Sequence, residues 1–116
     1  MSLRYMLYKT DCFRDAVRRV AAYYMDHASL KVADQFLTAV QNGITHIETF
    51  PHMPPRYTPP PGFEDLSQFD YRMINLMQFS SFPYVIYYEI DSPRLILHAI
   101  YHHAQDRARF WDTFGS

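Results

Sequence analysis

At 116 residues the chain has room for one domain, and 48% hydrophobic against 20% charged residues argue against intrinsic disorder. Eleven Lys and Arg against twelve Asp and Glu leave a net charge of −1, which excludes the broad basic surface of a protein that coats nucleic acid non-specifically. A single cysteine, Cys12, excludes an internal disulfide framework and a cysteine-based zinc site; with no apolar run of membrane-span length and no secretory leader pattern, the expectation is a soluble, cytoplasmic protein without a membrane partner.

Arg4 to Tyr8 alternates polar and apolar side chains and ends at Lys9-Thr10-Asp11, which predicts a short first strand. Phe13, Ala16, Val17, Val20, Ala21, Tyr24 and Met25 then recur at helical spacing, with Arg14, Asp15, Arg18 and Arg19 opposite. Thr10 or Asp11 is the natural N-cap of this helix. After His27-Ala28-Ser29, a second stripe of Ala33, Phe36, Leu37, Val40, Ile44 and Ile47 predicts another helix, capped by Ser29 and ended by Pro51. Six of the eight prolines fall between Pro51 and Gly62, so residues 51–70 read as an extended connecting loop. Tyr71 to Phe79, Tyr84 to Ile90 and Arg94 to Tyr101 are aromatic and β-branched runs with short connections, the pattern of an antiparallel meander. The fold class is therefore α+β, one domain over 1–116: an N-terminal strand, a two-helix hairpin, then a three-stranded meander whose sheet the helices cover on one face. The other face is expected to be open.

Six histidines invite a metal hypothesis, but His98 and His102 would share a face only on a helix, and their segment reads as strand; no metal and no cofactor is expected. The phosphate-binding, nucleophile-elbow and zinc-protease motifs are absent, and three glycines leave little for a phosphate-cradling loop. Cys12 sits where a helix N-terminus would lower its pKa, yet without a partnering base a packing role outweighs a nucleophilic one. In the strand from Tyr84, period-2 alternation puts Tyr84, Ile86 and Tyr88 on one face and Val85, Tyr87 and Glu89 on the other. One tyrosine is thus expected on the open side, with Arg72 sharing it as a phosphate or base contact.

The order of elements and three strings resemble the ParE/RelE superfamily of bacterial toxins, and more closely its ParE, or plasmid-stabilisation, branch. The strings are the first helix with Ala16, Val17, Val20 and Tyr24 followed by a second ending in Ile47-Glu48-Thr49-Phe50-Pro51; Tyr71-Arg72-Met73-Ile74 with Phe82-Pro83-Tyr84-Val85-Ile86-Tyr87-Tyr88; and His102-His103-Ala104-Gln105-Asp106 with Trp111 beyond. The resemblance implies the toxin of a type II toxin-antitoxin module, acting by binding DNA gyrase, neutralised by a cognate antitoxin, and able to form a homodimer when free. The residues it points to for target or antitoxin binding are Tyr87, His102, Asp106, Arg107, Phe110 and Trp111. The alternative is a RelE-like endoribonuclease that cuts messenger RNA on the ribosome, with Arg72 and Arg107 for charge, Tyr88 or Tyr101 for stacking, and His102 or His103 for acid-base work. That branch relies on a basic cluster, whereas from Ser67 onward this chain has four arginines and no lysine, so binding leads over chemistry. Gln105, standing where the family ending usually has arginine, keeps open a third reading, an inactive relative retained as a protein-binding module.

Overall fold

The computed structural model describes residues 5–58, 61–62 and 68–103. Strand β1 (Met6–Lys9) leads into helices α1 (Asp11–His27) and α2 (Leu30–Thr49). Strand β2 (Asp70–Asn75), a 3-10 turn over Leu76–Gln78, β3 (Tyr84–Asp91) and β4 (Arg94–His102) complete the described chain. The α+β class and the order strand, helical hairpin, strands are as the sequence predicts. The sheet runs β1-β4-β3-β2, antiparallel except for β1, which joins β4 in parallel and makes the layer four-stranded. A parallel partner needs a crossover rather than a tight turn, and here the helical hairpin with the following strands supplies it.

Thr10, not Asp11, caps α1: its backbone is extended and its Oγ1 accepts a hydrogen bond from the Phe13 amide at 3.1 Å. The same hydroxyl lies 2.9 Å from the His98 carbonyl and 3.1 Å from that of Leu97, so the cap also ties the start of α1 to β4. Ser29 caps α2 by accepting from Val32 at 3.1 Å, leaving Ala28 and Ser29 as the whole link between the helices. Strand β2 is shorter than Tyr71 to Phe79. It ends at Asn75, whose side chain accepts from the Met77 amide at 2.9 Å and bends the chain into the 3-10 turn, a local bond that competes with the sheet ladder.

The core lies between hairpin and sheet, where Phe36, Ile47, Ile74, Leu76, Ile86, Tyr88, Leu95 and Leu97 are fully enclosed. Phe36 meets Phe82 and Tyr84 edge-on and tilts against Tyr24, linking α2, the start of β3 and α1 through one ring. Gly43 lets α2 approach the sheet closely: a Cβ there would stand 2.6 Å from Leu76 Cδ2.

The expected open face is closed, and this is a correction. Tyr71, Val85, Tyr87 and Ala99 form a second buried cluster, with Tyr57 from the proline-rich segment, Met73 and Tyr101 packed against it. The reason lies in the connector. The Tyr57 amide donates to the Tyr71 carbonyl at 2.6 Å, so the loop pairs with the outer edge of β2 and brings the Tyr57 ring onto Tyr87.

Candidate functional site

Arg72 and Tyr88, placed by the ribonuclease alternative at the reacting phosphate and base, are neighbours across the β2–β3 register on the helix-covered face. Arg72 is 9% exposed and Tyr88 is wholly enclosed. The Arg72 guanidinium donates to Asp70 through Nε at 2.9 Å and Nη2 at 3.2 Å, and through Nη1 to the carbonyls of His52, at 2.9 Å, and Pro54. The Tyr88 hydroxyl donates to the Pro51 carbonyl at 2.7 Å. Burial pushes the phenol well above its ordinary pKa, with the Arg72 charge pulling partly the other way. Prolines 51 and 54 bring carbonyls into a place where no regular ladder receives them, and these two side chains satisfy them. Arg72 therefore does not share a face with Tyr87, and Tyr88 has no free ring surface for stacking; both fasten the connector to the sheet.

Tyr87 is 2% exposed, in edge contact with Tyr57 and Tyr101. Beside it the structure holds a pair that sequence reasoning did not assemble: His98 Nε2 lies 2.8 Å from Glu89 Oε1, both side chains largely buried. Alternation puts Glu89 on this face, and in β4 His98, the extra residue at a register shift opposite Tyr87 and Tyr88, follows the core-facing Leu97 and meets Glu89 there. Tyr71 stands edge-on to the imidazole, and burial, with the Glu89 charge adding to it, pushes its phenol up to about 12. The pair and its tyrosines read as internal fastening of the reverse layer.

The remaining sequence-predicted residues gather where β4 ends. His102 is paired with Tyr84 across the β3–β4 ladder and meets its ring edge-on at 5.3 Å between centroids. His103 is exposed, its amide donating to the Pro83 carbonyl at 2.7 Å. With Arg19, Val20, Tyr23 and Tyr24 of α1, Tyr84 and His102 line a cleft of about 570 Å³. Burial raises the Tyr84 phenol, and a hydrogen bond with Tyr24 raises it further, so this hydroxyl is a neutral hydrogen-bonding group at physiological pH. Aromatic walls with one arginine and one histidine suit recognition of a polar macromolecular surface. Asp106, Arg107, Phe110 and Trp111 lie outside the described residues. Among the described residues, no group of three or more His, Cys, Asp or Glu comes together to hold a metal ion, and Cys12 is exposed at the start of α1. No helix among the described residues is long and apolar enough to cross a membrane.

Comparison with known proteins bears on this geometry. No protein with a curated description matches the chain. A chain from the structure of the chromosomal ParDE toxin-antitoxin system of P. aeruginosa superposes with a TM-score of 0.66, covering 87% of this chain and 98% of its own at 11% identity, a likeness of fold. The family model of the ParE toxin of the type II toxin-antitoxin system parDE matches residues 9–107, from the end of β1 to beyond β4, and the chain therefore belongs to the ParE toxin family.

Proposed function

We propose that this ParE-family chain acts in the cytoplasm by binding its target, DNA gyrase, and that a cognate antitoxin neutralises it. The observation that carries binding over chemistry is the employment of Arg72 and Tyr88. Ribosome-dependent cleavage would need a cation at the phosphorane and an accessible aromatic at the base, and both of these side chains are spent on the carbonyls of residues 51, 52 and 54. His102 sits instead in an aromatic cleft at the end of β4. The gripping surface in this reading includes that end of the sheet, and the family resemblance adds Asp106, Arg107, Phe110 and Trp111 as contact residues; Tyr87, enclosed beneath Tyr57, is not part of it.

The experiment is a pair of assays on the purified chain: gyrase supercoiling, and messenger integrity in a translating extract. Supercoiling should be lost while messenger RNA stays intact, and His102→Ala and Trp111→Ala should each weaken the inhibition. Messenger cleavage that vanishes in His102→Ala would instead establish the endoribonuclease. Silence in both assays, with binding to an antitoxin retained, would identify an inactive relative kept as a binding module.

A further inference from the structure

Three tyrosines, an arginine and a histidine meet where α1 passes the start of β3 and the end of β4, and the cleft of about 570 Å³ between them has the capacity of a small-molecule site. No carboxylate lines it. Arg19 is exposed and makes no hydrogen bond or ion pair among the described residues, whereas Arg72 and Arg94 are each neutralised by an aspartate. The phenols of Tyr24 and Tyr84 are hydrogen-bonded to each other, and one bond between two hydroxyls uses only one of their two O–H groups. The second O–H of this half-buried pair has no acceptor among the described residues. Tyr23 supplies a flat wall: its ring, 55% exposed, is stacked on His27 at 4.3 Å between centroids and meets Tyr24 edge-on.

Donors that lack acceptors select an anion, and aromatic walls select a flat ring. A bare phosphate would satisfy the guanidinium and the hydroxyl but leave the tyrosine surface in water. A nucleoside would cover the rings but leave both donors unpaired. We infer that this cleft binds a free mononucleotide, its base stacked on Tyr23 and its phosphate accepting from Arg19 and from the spare hydroxyl of the Tyr24–Tyr84 pair. The guanidinium can hold two phosphate oxygens at once, and stacking on a tyrosine tolerates any base. Occupancy of the cleft is independent of which macromolecule the chain inhibits. Because His102 is a wall of the same cleft, a bound nucleotide would stand between the end of β4 and a macromolecular partner.

The test titrates the full chain with adenosine monophosphate and, in separate arms, with adenosine, inorganic phosphate and short oligonucleotides, following heat by calorimetry and backbone amide resonances by NMR. The mononucleotide should bind at least about tenfold more tightly than adenosine or phosphate, and the largest shifts should fall at Val20, Tyr24 and Tyr84. Arg19→Gln, at an exposed position where the fold is not at risk, should weaken the nucleotide about tenfold or more and leave adenosine unchanged. Tyr24→Phe, its fold checked by circular dichroism, should weaken the nucleotide about threefold to tenfold. Arg14→Gln, outside the cleft, should change nothing. No saturable binding of the mononucleotide to folded wild type would overturn the inference, as would shifts confined to another face or an Arg19→Gln variant that binds as wild type does. Phosphate bound as tightly as the mononucleotide would reduce the cleft to a simple anion site. Affinity that climbs with oligonucleotide length would give it to a nucleic-acid strand; either result also overturns the inference.

Discussion

Arg72 and Tyr88 show how far residue type can mislead about residue role. An arginine and a tyrosine on adjacent strands invite a phosphate and a base, yet the donors of the guanidinium and the phenol are directed at carbonyls of the proline-rich connector. An unsatisfied buried carbonyl costs about 1–3 kcal/mol, so Tyr88→Phe should destabilise the chain by about that much in urea denaturation. Arg72→Lys keeps the charge but loses the fork that reaches Asp70 and the connector together, and should cost a similar amount. Because the two side chains hold one segment, the double variant should lose less than the sum of the single losses. Additive losses would show that each residue acts on its own.

Among the elements, α1 is held at its first turn and α2 lies close against the 3-10 turn at Gly43 and Leu76. Thr10→Ala removes the acceptor of the Phe13 amide and the link to β4, and should cost about 1–2 kcal/mol, with amide exchange accelerating first at the start of α1. At Gly43 two effects compete. Alanine favours a helix by about 1 kcal/mol over glycine, while forcing a methyl into a packed core costs about 1–3 kcal/mol. The 2.6 Å approach to the enclosed Leu76 decides for the second, so Gly43→Ala should destabilise the wild-type chain. In a Leu76→Ala background, where the blocking atom is gone, the same substitution should stabilise it; a double-mutant cycle measures the reversal.

For the molecule as a whole, the sheet is sealed on both sides, and sealing has a signature in alkali. Tyr71, Tyr84 and Tyr88 all have phenols raised above the ordinary value of 10, Tyr71 to about 12. A group whose folded pKa lies above its unfolded one supplies stability that is complete below the unfolded value and disappears as pH rises toward the folded one. Stability should therefore be flat up to about pH 10 and fall steeply between pH 10 and 12, and Tyr71→Phe should reduce that slope. A melting temperature that does not respond to pH in this window would mean that water reaches these rings. With the reverse layer closed, the described chain has concavities elsewhere, among them the aromatic cleft at the end of β4 and the groove between the helices.

Periodicity and turn chemistry by themselves determined the class of fold, the two helices with a cap at Thr10 or Asp11 and another at Ser29, the meander, and that Tyr84, Ile86 and Tyr88 share one face of β3, because these depend on neighbours within a few positions. The strings around Tyr71, Phe82 and His102 also carried the family. Only tertiary structure decided that the connector folds back to bond the edge of β2 and cover Tyr87, that Arg72 and Tyr88 serve this connector, and that His98 pairs with Glu89 across β3 and β4. Each of those depends on where one chain segment meets another far from it in sequence, which no local pattern encodes: a proline-rich stretch reads the same whether it faces solvent or closes a sheet.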